Sequence, residues 1–236
     1  MIRFGPLSLV AMLLLPTALA EEKGTLIFED DFERSESQEE KDEPGNGWNT
    51  NSEKRANGHK QVDLKDGTMR IFIHEEADHG VSVTHEAEFT DGAVGMRFML
   101  EHEKDVLGLN FADLKFKEVH AGHLFVARIG TKSITLQDLK TGVMANEIRE
   151  RRTAKASTPE DRKLIAGKTK QFPHELDTGT WYELLAEVDG DVLTISIDGK
   201  EVASFQSEGI AHETKRTLRL AIARNAVVDD VRIWRR

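Results

Sequence analysis

The sequence predicts an all-β fold, an antiparallel sandwich carrying one short helical insertion, on three observations. Short β-type runs recur from residue 61 onward with turn signals between them, the pattern of a sandwich or barrel. Within the runs apolar and polar residues alternate, as strands with one core face require. Asp-Gly pairs punctuate the C-terminal part, and each supplies the positive φ of a tight hairpin.

The chain opens MIRFGPLSLVAMLLLPTALA. Arg3 is the charged start, Leu7 to Leu15 the apolar run and Ala18-Leu19-Ala20 the small-residue cleavage signal, which together predict a secretory signal peptide over residues 1–20. The domain then runs over residues 21–236, and its compartment is expected to be secreted or periplasmic. The apolar run falls well short of the ~20 residues that span a bilayer, so no membrane span is expected. Without Arg3 the domain carries 31 basic against 42 acidic residues, a net −11 with His neutral, which disfavours nucleic acid as a partner. The chain has no cysteine, which excludes disulfides, thiolate zinc sites and a thiol nucleophile. Such a domain relies on its core, and its length suffices for a sizeable one.

In EEKGTLIFEDDF, Thr25 to Phe28 reads as a first strand, followed by SESQEEKDEPGNG, a loop too polar and turn-rich to pack, which ends near Trp48. The runs VDLKDG, TMRIFIHE, GVSVTHEAEFTDG, AVGMRFMLE, VLGLNFAD, HLFVARIG and SITLQDL are the following strands. Met69, Ile71 and Ile73 share one parity, and Arg70, Phe72 and His74 the other. In WYELLAEVDGDVLTISIDGKEVASF two Asp-Gly turns separate three strands of a meander, with Leu193, Ile195 and Ile197 on its core side. TLRLAIAR and VVDDVRIW supply the last two strands, the first directing Leu218, Leu220 and Ile222 inward. Residues 143–170 break the pattern, being rich in Ala, Glu, Arg and Lys with little β-branched alternation. Thr158-Pro159-Glu160-Asp161 places a capping Thr before a Pro at the first helical position and an acid three residues after the cap, so two short helices are expected there. From residue 141 to 172 eight basic residues stand against four acidic ones, an excess of +4. This insertion reads either as a solvated helical excursion or as a dock for an acidic glycan or partner.

GTLIFEDDF, GTWYELLAEVDGDVLTISIDGKEV and NAVVDDVRIW resemble the concanavalin A-like lectin and glucanase jelly rolls, nearest the secreted 3-keto-disaccharide hydrolase-like domains related to family sixteen glycoside hydrolases. The resemblance covers most of the domain with degenerate motifs. It implies a jelly roll in which the first and last strands pair and one concave sheet face meets sugar. VDDVRIW is similar to the ending of many family sixteen glycanases, whose Asp lies near a structural calcium ion shared with the first strand. Carried over, the metal set is Asp229 with Glu29 and Asp31, carboxylates that suit a hard cation. The same acids also read as strand ends and turn caps. The family's Glu-x-Asp-x-Glu strand, whose spacing gathers carboxylates on one face, is absent. Its closest run, Glu187 to Asp191, is interrupted by the turn glycine Gly190. An ordinary retaining glucanase is therefore not implied.

The stretch NFADLKFKEVHAGHLF, residues 110–125, carries the candidate site. Leu107, Leu109 and Phe111 share a parity that Leu114 and Phe116 do not, so a bulge or turn is expected near Ala112-Asp113. The loop beyond it would bring His120 and His123 together, with Asp113 and Glu118 near, as acid, base or metal ligands; surface histidines of a hairpin are the other reading. Trp48 is the candidate sugar platform, with Asn110 and Lys115 as polar contacts for hydroxyls. Trp181 and Trp234 read as packing residues. No phosphate loop, Gly-x-Ser-x-Gly elbow or dinucleotide fingerprint occurs, so no organic cofactor is expected. Three functions follow as expectations: glycan binding on the concave face, hydrolysis or lysis of 3-keto glycosides with a metal assisting, or an envelope interaction module acting through the basic insertion.

Overall fold

The computed structural model describes residues 23–236, so the leader expected over 1–20 lies outside the described residues. In chain order the strands are β1 (Thr25–Asp30), β2 (Asn49–Thr50), β3 (Val62–Lys65), β4 (Thr68–Phe72), β5 (Val81–Phe89), β6 (Gly92–Met99), β7 (Val106–Ala112), β8 (His123–Gly130) and β9 (Ser133–Asp138). They continue as β10 (Thr169–Pro173), β11 (Trp181–Asp189), β12 (Val192–Ile197), β13 (Lys200–Gln206), β14 (Lys215–Ile222) and β15 (Asn225–Arg235). The helices are α1 (Ser52–Arg55), α2 (Asn146–Thr153) and α3 (Pro159–Gly167). No helix among the described residues is long and apolar enough to cross a membrane.

Two antiparallel sheets form the sandwich. One has the order β13-β12-β11-β6-β15-β4-β3, with β1 pairing the C-terminal half of β15 beyond the point where β4 stops. The other has the order β10-β9-β8-β7-β14-β5-β2. The hairpin chemistry follows the sequence. Asp66-Gly67 and Asp198-Gly199 each place both turn residues at positive φ, between 50° and 73°, the twist that two-residue hairpins favour. The core lies between the sheets, where Leu107, Leu109, Phe111, Leu218, Leu220 and Ile222 of one face Val94, Met96, Phe98, Leu184, Ala186 and Val228 of the other. Phe111 stacks on Phe125 at 4.7 Å between ring centroids. Burial of these side chains is the main stabilising term, each of those larger than Ala contributing about 1.5–3 kcal/mol.

The insertion between β9 and β10 is two helices, as its composition predicts, and Thr158 and Asp161 make the reciprocal capping box that starts α3. Two expectations are corrected. Ile73 does not continue the inward row of Met69 and Ile71, because β4 ends at Phe72 and Ile73 is 38% exposed. The polar loop before Trp48 does pack. Asp42 accepts the backbone N–H groups of Gln61 and Val62, and Glu36 accepts that of Leu64 while pairing with Lys60 at 2.7 Å. The loop thereby satisfies the donors of edge strand β3, which an open edge would leave available to another chain.

Candidate functional site

Period-two alternation in the seven-stranded sheet that sends Leu107, Leu109 and Leu220 inward sends Gly108, Asn110, Arg219 and Ala221 outward. Strand register lines these outward groups up in rows. One row runs Thr84, Arg219, Asn110, Val126, and the next runs Ser82, Ala221, Gly108, Arg128. The second row is low at its middle, because Gly108 has no side chain and a Cβ there would meet the Ala221 carbonyl oxygen at 2.7 Å. A cleft of about 530 Å³ lies over these rows. The segment 79–80 and Asn51 close one end, and His120, His123 and Met144 wall the other.

His120 and His123 converge because the chain between them is a turn rather than a strand. Ala121 and Gly122 adopt φ of 50° and 68°, and a Cβ on Gly122 would lie 2.3 Å from the Asp113 carbonyl oxygen, so a side chain there is excluded. The two ring centroids stand 6.4 Å apart. His123 Nδ1 lies 3.0 Å from Asn110 Oδ1, and Arg219 Nη1 lies 3.0 Å from both ring nitrogens. Donation from Nδ1–H to Asn110 leaves Nε2 as the acceptor for Arg219, which fixes the neutral tautomer. Burial, reinforced by the Arg219 guanidinium and then by His120, pushes His123 down to about 3. Burial also lowers His120, with Arg149 and Arg219 adding to the shift, and lowers Arg128 and Arg219 below the usual arginine range.

Of the expected site residues, Asn110, His120 and His123 line this cleft. The others are elsewhere. The bulge falls between Phe111 and Ala112, and beyond it the chain turns away, so Asp113 and Lys115 belong to a separate hollow at the sheet end with Phe116, Lys140, His212 and Arg216. There Asp113 accepts from His212 Nε2 at 3.1 Å and from the Lys115 amide. Burial raises its carboxyl, but these donors and the Arg216 charge outweigh that and hold it below the ordinary value. Glu118 is exposed and does not line the cleft. The expected group of two imidazoles and two carboxylates is therefore split.

Trp48 is not a platform. It is 5% exposed, packs against Phe28, Phe32 and His85, and donates its indole N–H to Asp30 Oδ2. Sugar stacking needs an open ring face, which Trp48 lacks. Of the expected calcium ligands, Glu29 and Asp31 border one hollow with Asp30, Arg34, Asp230 and Arg232, whereas Asp229 does not line it. Asp229 pairs with Arg97 at 2.9 Å, Asp31 accepts the Glu33 amide, and Glu29 points toward Arg232. The buried carboxylate of the first strand is Asp30, already supplied by Arg34, Trp48 Nε1 and the Phe32 amide. Among the described residues no group of three or more His, Asp or Glu side chains is gathered for a metal ion. Glu29, Asp31 and Asp229 do not fit a calcium ion as a set, because Asp229 is tied to Arg97 and the hollow beside Glu29 and Asp31 already holds the cations Arg34 and Arg232.

Arg219 and Arg128, which the sequence reading did not single out, are the charged groups of the cleft floor. Their signal was parity: Arg219 alternates with Leu218 and Leu220 and so had to face outward.

Two stacked antiparallel sheets, terminal strands paired, and a cleft across one outer sheet face define a concanavalin A-like jelly roll. Solved structures with this fold include SCLam, a non-specific endo-β-1,3(4)-glucanase from family GH16, at 13% identity and TM-score 0.59 over 94% of this chain and 92% of that one. A laminarinase from Flavobacterium sp. UMI-01 matches at 12% identity and TM-score 0.57, over 89% of this chain and 100% of that one. The carbohydrate binding module CBM66 from Bacillus subtilis matches at 11% identity and TM-score 0.50, over 78% and 93%. At these identities the likeness is one of fold. No protein-family model and no curated protein matches the sequence.

Proposed function

We propose that this is an exported carbohydrate-recognising protein that seats a glycan in the cleft over β5, β14, β7 and β8. The observation that carries the reading is the composition of that cleft. Apolar Val106, Val126 and Met144 line it together with Asn110, His123, Thr84 and Ser82, so the C–H faces and the hydroxyls of a sugar each find partners. The likeness in fold to glucanases and to a carbohydrate binding module supports it. Screening the protein against a glycan array tests it, with Asn110→Ala and His123→Ala as cleft variants. Binding by the parent and its loss in both variants is expected. Binding unchanged in both variants would remove the site assignment.

Turnover of a 3-keto glycoside is the second reading, and the convergence of His120 and His123 is what favours it. Binding is the better supported, because an imidazole pushed down to about 3 is a weak base and no Asp or Glu lines the cleft among the described residues. Product analysis after incubation with 3-keto disaccharides decides between them. Product formed by the parent and lost in His123→Ala would replace the binding reading.

A further inference from the structure

We propose that the cleft selects an anionic glycan, one whose carboxylate or sulfate groups sit against Arg219 and Arg128. This rests on the glycan-binding reading and narrows its ligand class.

Charge distribution carries the inference. The protein as a whole is acidic, with a formal net charge of −10, yet the cleft is lined by Arg55, Arg128, Arg219, His79, His120 and His123 and by no carboxylate among the described residues. Arg55 is paired outside the cleft with Asp78. Arg128 and Arg219 have no carboxylate within 4.0 Å among the described residues; their side-chain partners are Gln137 for the first and His123 for the second. Arg34, Arg70, Arg97, Arg151 and Arg216 by contrast each sit on an Asp or Glu, and the other arginines without a carboxylate partner among the described residues, such as Arg152, Arg162 and Arg236, lie outside the cleft. Two guanidiniums without a carboxylate partner, half-buried Arg219 on β14 and exposed Arg128 on β8, stand on either side of β7 over the same cleft, an arrangement that an arriving anion completes.

The surroundings reinforce that field. The low titration of His123 reflects burial first and then Arg219, His120, Arg128 and His79, so the imidazole stays neutral and accepts from Arg219 rather than competing for the anion. The basic insertion continues the positive rim, for Met144 walls the cleft and Arg149 of α2 lies close enough to lower His120. The acidic surface beyond is screened over about 8 Å at physiological salt, whereas contact charges inside a cleft are not. Among the described residues no Phe, Tyr or Trp lines the cleft, so stacking on a large aromatic ring does not supply the affinity there and charge is the remaining strong term.

Calorimetric titration of the full domain with three probes of matched length tests the proposal: a neutral laminari-oligosaccharide, an oligogalacturonate and a sulfated galactan oligosaccharide. At least one charged probe is expected to bind at least tenfold tighter than the neutral one, about 1.4 kcal/mol, with affinity that falls as salt rises. Which charged probe binds identifies carboxylate or sulfate as the recognised group. Arg219→Gln is expected to bring the charged-to-neutral ratio close to one, and Arg128→Gln, at an exposed position that folding tolerates, to reduce it several-fold. Equal or tighter binding of the neutral probe would overturn the inference and leave glycan recognition standing. Charged-probe affinity unchanged in both variants would overturn it as well, because the anion would then sit elsewhere. Binding of none of the three would overturn this inference and count against glycan recognition itself.

Discussion

His123→Gln should make the domain more resistant to mild acid. In the folded chain His123 is pushed from 6.5 down to about 3 by burial and by Arg219, whereas the unfolded chain restores the ordinary value. Above about pH 7 both states are neutral and the histidine contributes no pH dependence. As pH falls below the unfolded value, the unfolded chain takes up a proton that the folded chain refuses, so stability declines until about pH 3. At pH 5 the loss amounts to roughly 2 kcal/mol before screening, and about half of that once the partial solvent access of the cleft is allowed for. Glutamine keeps a polar group beside Asn110 and Arg219 but does not titrate. Urea unfolding of parent and variant at pH 7 and pH 5 gives the double difference, which cancels the contribution of the many carboxylates. The variant is expected to lose about 1 kcal/mol less than the parent between the two pH values. Parallel losses would refute the argument, since they would mean that His123 takes up its proton equally well in both states.

Three further outcomes follow from the packing. Trp48→Ala should cost about 3–5 kcal/mol in unfolding free energy, and Trp48 should resist collisional quenchers, because it is a core residue rather than a sugar platform. Asp138→Ala should destabilise by about 3 kcal/mol by urea titration, since the fully buried carboxylate accepts from Thr141, Ser207 and the Gly209 amide, and its loss strands those donors. Thr158→Ala should remove one half of the α3 capping box, lowering stability by about 1 kcal/mol and accelerating proteolysis within the insertion.

Much of the architecture was legible because it is written in local rules. Two-residue periodicity marks strands, Asp-Gly supplies left-handed hairpin turns, and Thr-Pro-Glu-Asp is a helix start; each depends on a few neighbouring residues. The bulge near Ala112 was legible for the same reason, as a break in parity between Phe111 and Leu114. The polar loop before Trp48 was not. Its carboxylates serve donors at Gln61, Val62 and Leu64, some twenty or more residues away, and no local pattern announces such a partner.

The candidate site divides along the same line. By itself the sequence determined that Asn110 faces outward from a strand whose alternate residues build the core, and that a turn near Gly122 was needed for His120 and His123 to meet. Only the tertiary structure decided that Asp113 and Glu118 stay outside that meeting, that Trp48 is sealed against Phe28 and Phe32, and that Arg219 and Arg128 flank Asn110 and Gly108. The physical reason is that facing is set within a strand, by the pleat, while neighbourhood is set between strands, by which of them pair and in what register. Strands β7 and β14 are separated by more than a hundred residues of chain, yet their pairing places Arg219 opposite Asn110 and gives an acidic protein its cationic cleft.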